Sequence, residues 1–513
     1  MLIGAAAGLS CGIFSNLKFS SEPASVAVAV TPKRYASPEE CKLAIAELRA
    51  ALPGARKVAT DPVLLRTYGS SSNSYHPDSP HAVVVRPENT EDVVTIYPTG
   101  SICVDMSGMN KIFEIHVEDG DLVCQAGARW EDINAQLRER DLPLFFPARH
   151  AAYTIRLFAD RPGMPSRIRD PTIGGMVGTR CSGSACTHSP KWSLLSTVVL
   201  SNGDVVKTKR RARKSSTGFD TTKLFIGAEG TLGIVTEATL RLAPVVSTKV
   251  AMAQFPDPEH AVSAVREILL SPYGANVQCI EFLDDNMMAA INSVGVVDEP
   301  LPVSDSHFFK LQGAPEVITA AAETASAIVN AHGASRFAFA RTEEDAEQLW
   351  QSRKYALMAT LADNPGARGY ITDLCVPPSK LPEFVHETKK DLAAAGIKAT
   401  IVGHVGDDNF HSCMLFHDDK QLSTIEAASH RLVYRALALD GTCTGEHGAG
   451  IGKKEFLVDE LGLSTIALMW TVKNAIDPLN IMNPGKDTGV VAKHSLEFDL
   501  DLSCPMGLGW NTL

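Results

Sequence analysis

Apolar residues recur along the chain with two periods, about 3.6 for helices and 2 for strands, and the changes from one to the other set out the elements. Ser37–Leu52 has helical spacing, with Cys41, Ile45, Leu48 and Leu52 on one side. His81–Pro87, HAVVVRP, reads as a buried strand, and Asp119–Cys124 as a strand running into a tight turn at Gln125-Ala126-Gly127. Trp130, Ile133 and Leu137 mark one face of a helix. Asn202-Gly203 between alternating flanks predicts a hairpin over Leu195–Lys207, and the alternating strand Val235–Leu242 follows. Beyond Pro244 strands at Lys249–Phe255, Val277–Phe282 and Phe308–Gln312 take turns with helices at Pro258–Leu270, Asp284–Ile291 and Pro315–Ala331. A helix is predicted at Glu344–Leu361, a strand at Tyr370–Pro377, and helices at Leu381–Ala395, Leu422–Leu439 and Leu461–Ile476. The fold class is α+β, with the second half a strand-and-helix domain built on the first.

The stretch Ile401–Phe416, IVGHVGDDNFHSCMLF, predicts a second hairpin, with Gly406-Asp407-Asp408-Asn409 as its turn. That register sets Val405 against Phe410 and His404 against His411, about 4.5–5.5 Å apart at Cα, so two imidazoles converge on one point. Two histidines so placed suit a metal ion, and the candidate third ligand is Glu446 in GTCTGEHGAGIGKK, where small residues allow close backbone approach. Neighbours in an extended segment point to opposite sides, which assigns Glu446 to the metal and His447 to proton transfer. A purely structural histidine pair is the plainer alternative. Two histidines and a carboxylate suit zinc, manganese or iron(II), with zinc and manganese as first candidates.

At 513 residues, 45% hydrophobic and 21% charged, the chain can bury two or three cores. A net charge of −11 argues against nucleic acid as a partner. The eleven cysteines are scattered without a C-x-x-C, as in a reducing compartment. Residues 1–36 read as a targeting or disordered segment. Their apolar opening, Met1–Phe14, is too short to span a bilayer and would give weak membrane association at most.

The motifs HVGDDNFH, GTCTGEHGAGIGK and IMNPGK, in that order, resemble those of the FAD-linked 2-hydroxy-acid dehydrogenases of the vanillyl-alcohol-oxidase type, over roughly Pro80 to Lys486. The resemblance implies a PCMH-type FAD-binding domain at 37–245, an α/β substrate and metal cap at 246–470, a C-terminal segment at 471–487 returning to the flavin, and an unmatched tail at 488–513. It implies FAD contacts from Gly174, Gly175, Thr179, Ser182 and Gly183, from Gly230, Thr231, Gly233 and Ile234, and from Asn483. It further implies that Arg353 pairs with the substrate carboxylate, while His447 takes the hydroxyl proton and the α-hydrogen leaves as hydride. The branch it comes nearest oxidises D-lactate to pyruvate in mitochondria and passes electrons to cytochrome c.

Four departures accompany the resemblance. Only Tyr97-Pro98-Thr99-Gly100 stands where relatives carry a helix, a strand and the glycine-rich pyrophosphate loop, which reads as a missing exon near 95–100. Ala148–Asp170 is foreign, with five arginines and no periodicity, and Ala185–Ser193 departs from the family's Arg-Tyr-Gly run. Asp408 stands where the family usually has glycine. Two alternatives follow. Ile371 stands close to where relatives acting on a second carboxylate carry lysine, which favours a short substrate over D-2-hydroxyglutarate; glycolate also stays open. The chain can also be read as a non-catalytic metal-binding remnant that has lost FAD.

Overall fold

The computed structural model describes residues 37–54, 57–69, 83–95, 102–147, 171–181 and 193–486. Ser182 and Gly183, most of the shortened loop near 95–100, the foreign stretch 148–170, the segment 1–36 and the tail 488–513 lie outside the described residues.

Among the described residues the first half carries a three-stranded and a five-stranded sheet, besides the short antiparallel pair Leu144–Phe145 with Ala243–Pro244. Val58–Ala59 pairs antiparallel with Val83–Val85, which pairs parallel with Ile102–Val104. Val83, Val84 and Val85 are all buried, as expected of a strand covered on both faces. The helix Pro38–Ala51 that packs here starts where the sequence dictates: Ser37 caps it and Glu40 reaches back to the Ser37 N–H. A five-stranded sheet follows, ordered Ile112–His116, Asp121–Gln125, Ile234–Arg241, Ser193–Val199, Val205–Lys207. Its inward residues Leu122, Ala238 and Leu240 form a core with Ile133 of the helix Trp130–Glu139 and with Met176 and Val177 of the helix Ile173–Thr179.

The second half is built on an eight-stranded sheet whose pairings are antiparallel throughout. Its order runs Arg336–Phe339, Thr248–Phe255, Asp305–Gln312, Val277–Leu283, Ala399–His404, Asn409–Phe416, Arg368–Ile371, with Leu374–Cys375 also on Asn409–Phe416. Helices cover both faces. Ala251, Phe309 and Ile401 point into one core with the helices Pro258–Leu270, Pro315–Ala331, Leu381–Ala394 and Asp419–Ala438. Met252, Phe308 and Val402 point the other way, toward Asp285–Val294 and Ala356–Ala362. Every residue of Val277–Leu283 and Ala399–His404 is therefore buried, including the polar Glu281 and His404.

Two predicted elements are interrupted. The helix expected at Glu344–Leu361 is two, Glu343–Lys354 and Ala356–Ala362, broken at Tyr355, whose φ of −98° and ψ of 9° leave the helical region. The strand expected at Tyr370–Pro377 is Arg368–Ile371 and Leu374–Cys375, with Thr372 and Asp373 between them. Both breaks lie at the site described next. Among the described residues no helix is long and apolar enough to cross a membrane.

Candidate active site and metal centre

The histidine hairpin forms with a different register from the expected one. His404 pairs with Asn409, Gly403 with Phe410 and Val402 with His411. The turn is Val405–Asp408, not Gly406–Asn409, because Val405 drops into the core with no exposed surface instead of joining the ladder. Asp408 completes the turn at φ 61°, a left-handed conformation that aspartate tolerates and that explains glycine as the usual alternative there. His404 and His411 are thus diagonal, not directly opposed. They still share a face, and their rings meet edge to face with centroids 5.5 Å apart.

Each imidazole has one nitrogen turned outward and one inward. His404 Nδ1 lies 3.0 Å from Glu281 Oε1, and His411 Nδ1 lies 3.3 Å from the Thr372 carbonyl. Both Nε2 atoms face the same oxygen, Glu446 Oε1, at 3.2 Å from His404 and 3.4 Å from His411. His404, His411 and Glu446 are all buried, and their donor atoms lie within 4.8 Å of one another. Outward acceptors that fix the Nδ1–H tautomer, with Nε2 lone pairs and a carboxylate converging inward, are what a divalent cation requires of its ligands and their supports. Burial alone would lower the His404 pKa, but the carboxylates of Glu281 and Glu446 outweigh it and raise it to about 10. The pocket attracts positive charge. The residues present fit a metal ion.

Asp373, placed by the strand break, organises the loop that brings Glu446 and His447. Its Oδ2 accepts from Thr444 Oγ1 at 2.7 Å and from the backbone N–H groups of Glu446 and His447 at 3.0 and 2.8 Å. Burial works against its charge, yet His447, Lys453 and His411 together hold the carboxyl well below the usual range. Glu446 turns inward, while His447 lies at the edge of the site, its ring stacked on His411 at 4.9 Å. Asp373, His411 and His447 also form a compact trio, but the Asp373 carboxylate is already committed to the loop backbone.

Arg353 occupies the last turn of the helix Glu343–Lys354 and is buried. It donates through Nε to Glu281 Oε2 at 2.6 Å, and its Nη2 lies 3.3 Å from both ring nitrogens of His404. Arg353, Ile371, His404, His411, Glu446 and His447 line one cavity of about 70 Å³. A single water needs roughly 10–15 Å³ on this measure, so the cavity suits a molecule of a few heavy atoms. Lys354 also borders it, with its Nζ held by Glu131 of the first half at 3.0 Å.

The described residues among those expected at the cofactor come from three stretches that meet in one wall. Glu229 N donates to the Gly178 carbonyl at 2.9 Å, and Asn483 Nδ2 donates to the Glu229 carbonyl at 2.7 Å. Gly230, at φ 70°, leaves the space that Asn483 fills, since a Cβ there would lie 2.8 Å from its Nδ2. Lys473 Nζ reaches from the last long helix to the Thr231 carbonyl at 2.8 Å and the Met482 carbonyl at 2.9 Å, closing the wall. Gly174, Gly175 and Thr179 lie on the helix capped by Thr172, and Gly233 and Ile234 open the strand beside it. Gly175 is exposed, so its backbone is open to close approach. Cys181 Sγ, from the end of the same stretch, donates to Glu446 Oε2 at 3.3 Å, so cofactor wall and metal cluster are in contact.

Glu281, Asp373 and Glu229 were not singled out as site residues from the sequence. The first two carried a signal: each is a lone carboxylate inside a stretch that otherwise reads as a buried strand, VQCIEF and YITDLCV.

Residues 246–486 match the family model described as FAD linked oxidases, C-terminal domain, and residues 83–155 match the FAD binding domain. The mitochondrial D-lactate dehydrogenase [cytochrome] of Arabidopsis thaliana is 39% identical over 76% of this chain and 66% of its own length. The protein of the same name from Kluyveromyces lactis is 34% identical over 81% of this chain and 75% of its own length. In fold, p-cresol methylhydroxylase superposes with a TM-score of 0.69 at 16% identity, over 90% of this chain and 99% of that one. The chain belongs to the FAD-linked oxidase family that contains these D-lactate dehydrogenases.

Proposed function

We propose that this chain oxidises D-lactate to pyruvate on bound FAD, in mitochondria, and passes the electrons to cytochrome c. The observation that carries the reading is one small cavity on which a metal-ligand cluster, an arginine and a histidine converge. Bound FAD supplies a hydride acceptor, and a zinc or manganese ion supplies a Lewis acid.

Gly174, Gly175, Thr179, Gly230, Thr231, Gly233, Ile234 and Asn483 would hold the flavin, and His404, His411 and Glu446 the metal. Arg353 would pair with the substrate carboxylate through its guanidinium while Glu281 steadies its Nε. His447 receives the hydroxyl proton. Crowding by the surrounding groups desolvates its imidazole and lowers the pKa, against the opposing pull of Asp373, while the ring keeps exposed surface at the edge of the site, which suits a base. Ile371 closes the cavity with an apolar surface, which suits the methyl of lactate. D-2-hydroxyglutarate is the second reading, favoured by Lys354 at the cavity, though its ammonium is engaged by Glu131.

The test is the visible spectrum of the purified chain before and after anaerobic addition of D-lactate, with metal content measured on the same sample. Flavin bands that bleach support the reading, and bands that bleach only with another hydroxy acid move it to that substrate. Bound metal without flavin bands would leave the metal-binding remnant.

A further inference from the structure

Glu281 has no exposed surface, and it shares its two oxygens between two groups of different purpose. Oε2 accepts from Arg353 Nε at 2.6 Å, and Oε1 lies 3.0 Å from His404 Nδ1. The sheet register puts it there: Phe282 pairs with Gly403 and Leu283 with Val402, so the next step along the two antiparallel strands brings Glu281 level with His404. The fit is a property of strand pairing, not of a mobile loop.

An ionised carboxylate can only accept hydrogen bonds. His404 Nδ1 must then carry its hydrogen, which leaves Nε2 as the atom available to a metal ion, on the side where Glu446 and His411 stand. The same carboxylate holds the Nε edge of Arg353. We propose that Glu281 is a positioning residue that sets two things at once: the metal-binding tautomer of His404 and the orientation of Arg353 toward the cavity. This rests on the reading of His404, His411 and Glu446 as metal ligands.

A glutamine at this position cannot serve both partners. With its oxygen toward Arg353 Nε, its NH₂ meets His404 Nδ1, and the imidazole must place its hydrogen on Nε2, where the metal would bind. With its oxygen toward His404, the NH₂ faces the guanidinium donor instead. Either arrangement weakens one function. Glu281 therefore couples substrate binding to metal binding through one group.

The test is titration of the metal-stripped, full-length chain with Zn²⁺ alone, in competition with a chromophoric chelator. The proteins compared are the unsubstituted chain, Glu281→Gln, Arg353→Met, and the double variant Glu281→Leu/Arg353→Met. The double variant replaces the buried ion pair by apolar groups of similar size, a change that proteins commonly tolerate, so it keeps the test alive if Glu281→Gln fails to fold. Loss of an outer-shell partner typically costs on the order of 10–100-fold in metal affinity. That weakening is expected for Glu281→Gln and for the double variant, at an unchanged thermal midpoint for the double variant. Arg353→Met is expected to bind zinc within a few-fold of the unsubstituted chain. Unsubstituted zinc affinity in a folded double variant would overturn the proposal, as would a loss in Arg353→Met as large as in the double variant. No zinc binding by the unsubstituted chain would instead overturn the metal reading on which the proposal rests.

Discussion

The Glu229 carboxylate accepts the backbone N–H of Gly450 at 3.0 Å, so the cofactor wall grips the loop that carries Glu446 and His447. The grip leaves no room for a side chain at Gly448, where a Cβ would lie 2.7 Å from Glu229 Oε1. A hydrogen bond to a charged group is worth about 1.5–3 kcal/mol. Glu229→Ala is accordingly expected to lower kcat/KM for D-lactate by roughly 10–100-fold, while zinc affinity, held separately through Asp373, changes little. Steady-state kinetics with parallel zinc titration check this. Unchanged turnover would remove Glu229 from the account of how the loop is placed.

His447 stacks on His411 without being one of the three converging ligands. Replacing it by glutamine should leave flavin and metal content intact and slow anaerobic flavin reduction by about 10²–10⁴-fold, the usual worth of a general base. A reduction rate equal to that of the unsubstituted chain would assign proton removal elsewhere.

Ile371 pairs with Cys413 on the neighbouring strand and lines the cavity. Ile371→Lys places an ammonium where a short substrate has only a methyl. The ratio of kcat/KM for D-2-hydroxyglutarate over that for D-lactate is expected to rise by roughly tenfold or more, the scale of one charged hydrogen bond. An unchanged ratio measured on both substrates would show that cavity length is set elsewhere.

Stability should fall in mild acid through His307, which pairs with Phe282 on the strand that carries Glu281. The His307 ring is packed among Phe255, Phe282 and Phe309, with Nε2 donating to the Ala261 carbonyl at 2.7 Å. Burial pushes its pKa down from 6.5 to about 4. Between those values the unfolded chain takes up a proton that the folded chain refuses, so the contribution is complete above pH 6.5 and is lost as pH falls. At pH 5 the loss is on the order of 2 kcal/mol. Urea midpoints at pH 8 and pH 5 should differ more for the unsubstituted chain than for His307→Phe, and equal differences would contradict the assignment.

Much of this was legible because buried faces impose their period on the sequence. Pro258–Leu270 and Pro315–Ala331 form at the expected bounds, and Asn202-Gly203 turns the hairpin it announces. The shift in the histidine hairpin was not legible, because the preference of Gly406 to Asn409 for turns is local, whereas the burial of Val405 is decided by the core beneath it. The same holds for the partners of the site. Glu281 lies 123 residues from His404, and Glu229 lies 221 from Gly450; no local pattern encodes such a pairing. The breaks at Tyr355 and at Thr372-Asp373 also answer to distant groups, since they aim Arg353 and Asp373 at residues on other elements.

The clasp of Lys473 and Asn483 on the Thr231 and Glu229 carbonyls sets an order of events during synthesis. The two ends of the clasp are 242 and 254 residues apart. At about 5–20 residues per second, the ribosome delivers the second end roughly 12–50 s after the first. Through that interval the nascent first half carries an open carbonyl edge, and its closure is among the last steps of maturation. Ribosome-held chains stopped before Leu463 are expected to be cut by protease near Thr231, where the released protein resists; equal resistance in both would mean that the wall closes without its clasp.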